Sequence, residues 1–205
     1  MKSNLKAVIF DFGGVLLRTH DHSFRTKWDD HLGLKHGAFE ETIFNGPLGK
    51  AAQLGQATSD DVWQDAARQF GLSPAELAQA RPDFFKGDRI DRELADHIRR
   101  LKKRYTIGLL SNTWRVDGLS LLIQYGLADA FHTTITSAEA GIMKPDPTIY
   151  RLALERVGGV EPEQAIFVDD MESNVLAARE IGMQAVYFVD PATAMARLAE
   201  LTGVE

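Results

Sequence analysis

Residues 6–17 read KAVIFDFGGVLL. The apolar run Ala7 to Phe10 ends at an acid, Asp11, and two residues later stands Gly13. Four further runs share this character: YTIGLLSN at 105–112, FHTTITS at 131–137, AIFVDD at 165–170 and QAVYFV at 184–189. They are rich in Val, Ile, Phe, Tyr and Thr and mostly lack strict alternation, as strands buried on both faces of a parallel sheet do. Helical segments lie between the last four runs. DRELADHIRRLKKR precedes the second run, and VDGLSLLIQYG follows it and reaches Gly126, a residue suited to ending a helix. DPTIYRLALERVGG starts near Pro147 and stops at two glycines, ESNVLAAREIG also ends in glycine, and PATAMARLAELTG closes the chain. This alternation predicts an α/β fold with a doubly wound, parallel, five-stranded Rossmann-like sheet.

Residues 18–86 depart from the rhythm. DDVWQDAARQFGL and SPAELAQARPDFF show helical spacing, with helix starts expected at Ser59 and at Ser73-Pro74, and no strand is convincing. A helical insert is therefore expected over 18–86, between a catalytic core built from 1–17 and 87–205.

Composition narrows the function. The chain has 205 residues, 44% hydrophobic and 25% charged, as an ordinary globular domain does. A net charge of −6 disfavours broad nucleic-acid or anionic-membrane binding. No cysteine is present, which excludes thiol nucleophiles and thiolate metal sites. No apolar run approaches the roughly 18 residues of a membrane span, and Asp11 interrupts the only N-terminal candidate for a signal peptide. The expectation is a cytoplasmic monomer or homodimer with no nucleic-acid or membrane partner.

Open α/β sheets bind ligands at the carboxyl ends of their strands. Four such ends are polar here: Asp11, Ser111-Asn112, Glu139 leading to Lys144, and Asp169-Asp170. Singly, each is most often a turn or a helix cap. Adjacent buried acids are different, because like charges repel and need a cation or protons. Asp11, Asp169 and Asp170 are hard oxygen ligands suited to Mg²⁺, and the carbonyl of Gly13 can add another. Ser111, Asn112 and Lys144 offer a hydroxyl, an amide and a cation for a phosphate. A carboxylate beside a metal and a phosphoryl group can act as a nucleophile.

FDFGGVL, LLSNTW, GIMKPDPTIY and FVDDMESNVLAARE, in this order, resemble the motifs of the haloacid dehalogenase superfamily over nearly the whole chain. The insert resembles the small helical cap of its subfamily I. SNTW, KPDPTIY and VDDMESN are most similar to the phosphatase domain of soluble epoxide hydrolase and to glucose-1-phosphate phosphatases. The resemblance implies a Mg²⁺-dependent hydrolase of small phosphate monoesters, such as sugar phosphates, working through an aspartyl-phosphate. It implies Asp11 as nucleophile and metal ligand, Gly13 as a carbonyl ligand and Asp170 as a direct ligand. It implies Ser111 and Asn112 as holders of the phosphoryl group and Lys144 as the charge-neutralising cation. Asp169 and Asn174 would act on the metal through water or by holding Asp170.

Position 13 departs from the family. Most of its phosphatases have aspartate there, which protonates the leaving alkoxide and then activates water. Such help is worth about 10²–10⁴-fold. His20 or Asp21, in RTHDHSFR just after the motif, could supply the proton, or the substrate could leave without one. Two alternatives stand beside the phosphatase: a 2-haloacid dehalogenase, which needs no leaving-group acid, and a catalytically weak binding protein. Trp28, Trp63, Phe70, Phe84 and Phe85 are expected in the insert's core, and Trp114 either braces the phosphate-binding pair or faces substrate.

Overall fold

The computed structural model describes residues 4–204. Five strands form one sheet: β1 Ala7–Phe10, β4 Thr106–Ser111, β5 Thr133–Thr136, β6 Ala165–Asp169 and β7 Gln184–Tyr187, in the order β5-β4-β1-β6-β7. Every pairing is parallel. The five apolar runs of the sequence are these five strands. β1 is central, and its residues alternate between two cores. Val8 and Phe10 pack with helices on one face, and Ala7 and Ile9 with helices on the other. All four are fully buried, which is why the run is continuously apolar.

The first face is covered by α6 Arg92–Leu101, α7 Gly118–Gln124 and α11 Pro191–Thr202. The second is covered by α9 Pro147–Arg156 and α10 Glu172–Glu180. One-residue turn chemistry sets several helix starts. Asp91, Asp117, Asp146 and Asp190 each accept a hydrogen bond from a main-chain N–H in the following helix. No helix among the described residues is long and apolar enough to cross a membrane.

Five helices follow β1: α1 Ser23–His31, α2 Ala38–Asn45, α3 Pro47–Gln53, α4 Ser59–Phe70 and α5 Pro74–Phe84. They enclose a third apolar cluster around Trp28, Phe39, Ile43, Trp63 and Phe84. Fully burying such side chains contributes about 1.5–3 kcal/mol each. α4 begins at Ser59, as expected, but its cap is Thr58, which forms a reciprocal capping box with Asp61. Ser73 does the same with Glu76 ahead of Pro74.

The expectation that the segment from residue 18 lacks strands is corrected at its edge. β2, Leu17–Thr19, pairs antiparallel with β3, Asp88–Ile90. This ribbon is where the chain enters and leaves the helical insert. Three residues per strand, mixed in burial, carry no periodic signal. Side-chain charges brace the ribbon: Arg18 meets Asp91 at 2.6 Å, and Thr19 donates to Asp88 at 2.7 Å. Arg25 of α1 is buried and joins three elements. Its guanidinium grips Asp88 through two bonds of 2.9 and 3.0 Å, pairs with Glu40, and donates to the Phe84 carbonyl at 3.0 Å. α8, Ser137–Ala140, completes the helices just after β5.

The Arg25–Asp88 pair is only 9% and 8% exposed, whereas Lys27, paired with Asp83 at 2.5 Å, is 43% exposed. Removing one partner of a buried pair costs about 3–5 kcal/mol, and an exposed pair contributes about 0–1 kcal/mol. Arg25→Met is therefore expected to lower the urea midpoint far more than Lys27→Met. Equal shifts would show that Arg25 does not lock the insert to its ribbon.

Candidate active site

The parallel register brings the polar strand ends level. Phe10 lies opposite both Leu109 and Val168, so the next residue, Asp11, sits beside the ends of β4 and β6. Its main-chain N–H donates to the Val168 carbonyl at 2.9 Å. Ser111 is the last residue of β4 and Asp169 the last of β6. Lys144 arrives from the loop between α8 and α9. Asp11, Lys144 and Asp169 are all buried, at 7%, 2% and 0% exposure.

Lys144 organises the site. Its ammonium donates to Asp11 Oδ1 at 2.8 Å, to Asp169 Oδ2 at 2.6 Å and to the Leu110 carbonyl at 3.1 Å. An ammonium has three N–H donors, and all three are used. The Phe167 ring lies 5.5 Å away beneath the charge. Asn112 fixes the lysine's main chain from both sides: its Nδ2 donates to the Lys144 carbonyl, and its Oδ1 accepts from the Lys144 N–H, each at 2.9 Å. Asn174 Nδ2 donates to Asp169 Oδ1 at 3.0 Å, and the Met171 N–H donates to the same oxygen at 2.8 Å. The Tyr150 hydroxyl in turn donates to the Asn174 carbonyl at 3.0 Å. Asn174 therefore holds Asp169, not Asp170.

Carboxylate oxygens of Asp11, Asp169 and Asp170 all lie within 4.8 Å of one another. Three carboxylates thus face one ammonium. Burial pushes Asp11 up to about 7, against the pull of Lys144 and with the Asp169 charge adding to the rise. Asp170 is also raised, by burial first and by Asp169 second. For Lys144, burial opposes the charge, but Asp11 and Asp169 together hold its ammonium above the ordinary lysine value. The excess of buried negative charge is what a divalent cation would neutralise.

The glycines differ. At Gly14, φ is +81°, and a Cβ would stand 2.0 Å from Asp170 Oδ2, so both backbone and space require glycine. At Gly13, a Cβ would meet nothing within 4 Å. Position 13 is open rather than filled by another acid. His20 and Asp21 follow β2 and are exposed. The Asp21 carboxylate accepts from the Ser23 N–H at 3.0 Å, and its bonds to Ser23 hold it below the usual carboxylate range. Ser111 is buried at the strand end. Sequence reasoning missed Ser137, whose hydroxyl accepts from the Thr113 N–H at 2.9 Å and donates to the Thr113 carbonyl at 3.2 Å. Its signal was present, as the polar end of the FHTTITS run.

Comparisons with known proteins show the family and the fold. A family model for haloacid dehalogenase-like hydrolases matches residues 5–182. Bifunctional epoxide hydrolase 2 of Sus scrofa is 28% identical over 98% of this chain, which spans 39% of that longer protein. Sesquiterpene phosphatase astK of Aspergillus oryzae is 28% identical over 99% of this chain and 100% of its own length. A haloacid dehalogenase family enzyme of Bacteroides thetaiotaomicron, solved with magnesium and inorganic phosphate, superposes with a TM-score of 0.71. It is 21% identical, over 89% of this chain and 93% of its own. A solved dehalogenase also superposes at 0.71, with 20% identity over 98% of both chains. At these identities the two structures share the fold.

The raised carboxyls carry a pH signature. The folded chain holds the Asp11 proton to about pH 7, above the ordinary value of 3.8. The protonated form is favoured on folding, so this stabilisation is full below about pH 4 and lost as pH rises through about 7. In metal-free buffer with chelator, the melting temperature should fall between pH 5 and pH 8, and Asp11→Asn should flatten that slope. An unchanged slope in Asp11→Asn would remove Asp11 as its source.

Proposed function

We propose that this chain, which belongs to the haloacid dehalogenase-like hydrolases, is a phosphatase that hydrolyses a small phosphate monoester with Mg²⁺, through an aspartyl-phosphate on Asp11, as the phosphatases among its relatives suggest. The observation that carries this reading is the single buried ammonium of Lys144 facing three carboxylates whose oxygens lie within metal-binding reach. Asp11 and Asp170 would hold Mg²⁺ together with the Gly13 carbonyl, while Asp169 and Asn174 order the acids around it. Bound magnesium would supply positive charge that offsets the repulsion between an anionic nucleophile and an anionic phosphate.

The remaining steps belong to the chain's own groups. An Asp11 carboxylate oxygen attacks phosphorus, and the bond to the alcohol oxygen breaks. Water then attacks the same phosphorus, releasing orthophosphate and returning Asp11. The Ser111 hydroxyl and the loop after it bind the phosphoryl oxygens. Lys144 acts on the phosphate through its charge, because its three N–H groups already serve Asp11, Asp169 and Leu110. Asn112 uses both ends of its amide to hold Lys144, so its largest contribution is to fix that cation. Residues 18–86 act as a cap that shields the strand ends from water and selects the substrate.

The departing alcohol needs a proton that Gly13 cannot give. Of the two candidates near the motif, His20 is the better donor, because Asp21 is held in its ionised form. A leaving group stable as an anion, such as the hemiacetal oxygen of a sugar 1-phosphate, would reduce the need. A dehalogenase would have no use for the acid cluster around Asp170, which favours the phosphatase.

p-Nitrophenyl phosphate tests the reading, since its leaving group needs no acid. Hydrolysis should require Mg²⁺, and Asp11→Asn should lower kcat by about 10⁴-fold or more. Absence of turnover at high enzyme and Mg²⁺, or chloride release from 2-chloropropionate without metal, would overturn it. A Cβ at position 13 would meet nothing within 4 Å, so Gly13→Asp can be made there. It should raise turnover of alkyl phosphates by up to about 10²-fold while changing the aryl ester little. Unchanged alkyl turnover would mean that the proton already comes from elsewhere, and His20→Ala would then lower it.

A further inference from the structure

The loop that leaves β4 is held from two sides. Toward the sheet, Asn112 clasps the Lys144 main chain and Thr113 exchanges hydrogen bonds with the Ser137 hydroxyl. The next residue turns the other way. Trp114 packs into the apolar cluster of the helical insert and stacks on Phe44 of α2, with ring centroids 5.5 Å apart and 24° between the planes. Among the described residues, it is the one side chain in that cluster that comes from outside residues 18–86. A second contact lies beside it. Gly55, at φ +71°, passes so close to α8 that a Cβ would stand 2.4 Å from the Ala138 carbonyl oxygen. Ala138 follows Ser137, the residue that holds Thr113.

We infer that Trp114 is a positioning residue that couples docking of the cap to the geometry of the phosphoryl-binding loop at Ser111–Thr113, an inference that rests on the phosphatase reading above. Two peptide bonds separate Trp114 from Asn112, and peptide planes transmit displacement rather than absorb it. A tryptophan side chain has only two rotatable bonds, so a seated ring fixes its own backbone. With the cap docked, the loop is pinned by the indole on one side and by Lys144 and Ser137 on the other. With the cap displaced, one side of that clamp is gone. Misplacement of a reacting group by 1 Å can cost about 10²-fold in rate. The acid cluster is outside this loop, just after β1 and at the end of β6, so metal binding does not pass through Trp114.

Trp114→Ala and Trp114→Phe, compared with the unchanged chain, test this. Three readouts are needed: p-nitrophenyl phosphate kinetics, the Mg²⁺ dependence of thermal stability, and amide hydrogen exchange. Trp114→Ala should lower kcat/KM by about 10- to 100-fold and weaken competitive inhibition by orthophosphate. It should also speed exchange both in α2 and across residues 111–115, while leaving the Mg²⁺ midpoint unchanged. Trp114→Phe, which can still stack on Phe44, should recover most of kcat/KM. Unchanged kcat/KM in Trp114→Ala, a loss that phenylalanine does not recover, or faster exchange in α2 alone would each overturn the coupling. If the unchanged chain hydrolyses no ester, the phosphatase reading fails separately. Exchange at 111–115 then still decides the coupling: faster exchange in Trp114→Ala supports it, and no change overturns it.

Discussion

One buried ammonium holds this site together. Lys144 donates through its three N–H groups to three acceptors, two of them carboxylates at the ends of different strands. Two carboxylates brought together in a dry crevice repel strongly, and the lysine between them is what makes the meeting of Asp11 and Asp169 tolerable. The neighbours serve that lysine. Asn112 fixes its backbone, Phe167 lies under its charge, and Asn174 holds the far side of Asp169. Tyr150 ties Asn174 back to α9. Breaking a buried pair of this kind leaves an uncompensated charge, at about 3–5 kcal/mol. The network is specific because each polar atom has few other places to bond.

Position in the fold explains why the network is at this spot. β1 lies at the centre of the sheet, and Asp11 is the first residue past its end. Neighbouring strands in parallel register place Asp169 level with Asp11 and Ser111 one residue beyond. The helical insert leaves and returns through the β2–β3 ribbon immediately afterward, and Trp114, just past the end of β4, packs into its apolar cluster. Burial of Asp11, Lys144 and Asp169 strengthens the charge interactions between them. It also raises the cost of an acid cluster without a cation, an imbalance that the proposed Mg²⁺ would relieve.

Much of this was legible in the sequence. Continuous apolar runs marked all five strands, and the polar residues at or after the ends of four of them put Asp11, Ser111, Lys144, Asp169 and Asp170 at the carboxyl ends of the strands. What stayed hidden depends on tertiary contact. The β2–β3 ribbon joins residues about seventy apart, in strands too short to show a period. Asn112 and Lys144 are thirty-two residues apart, and nothing local marks the asparagine as the residue that holds the lysine's main chain. Asn174 was placed near the acids, but which one it holds is decided by the start of α10. Arg25 reads as a surface residue of an amphipathic helix until Asp88 and Glu40 are seen beside it.

Gly13 is the feature with the clearest consequence. Its neighbour Gly14 is forced by backbone and by Asp170, but Gly13 is not, and open space lies where a side chain would begin. With Asp11 as the proposed nucleophile, the chain lacks at position 13 the base that would speed hydrolysis of the phosphorylated aspartate. The phosphorylated form should therefore persist long enough to trap. The most direct measurement is mass spectrometry of protein quenched in acid during turnover of p-nitrophenyl phosphate with Mg²⁺. One added phosphoryl group on the peptide that contains Asp11, absent in Asp11→Asn and lost on treatment with hydroxylamine, is the expected result. Steady turnover with no phosphoryl group on that peptide, or with the group on a different residue, would contradict a nucleophilic role for Asp11.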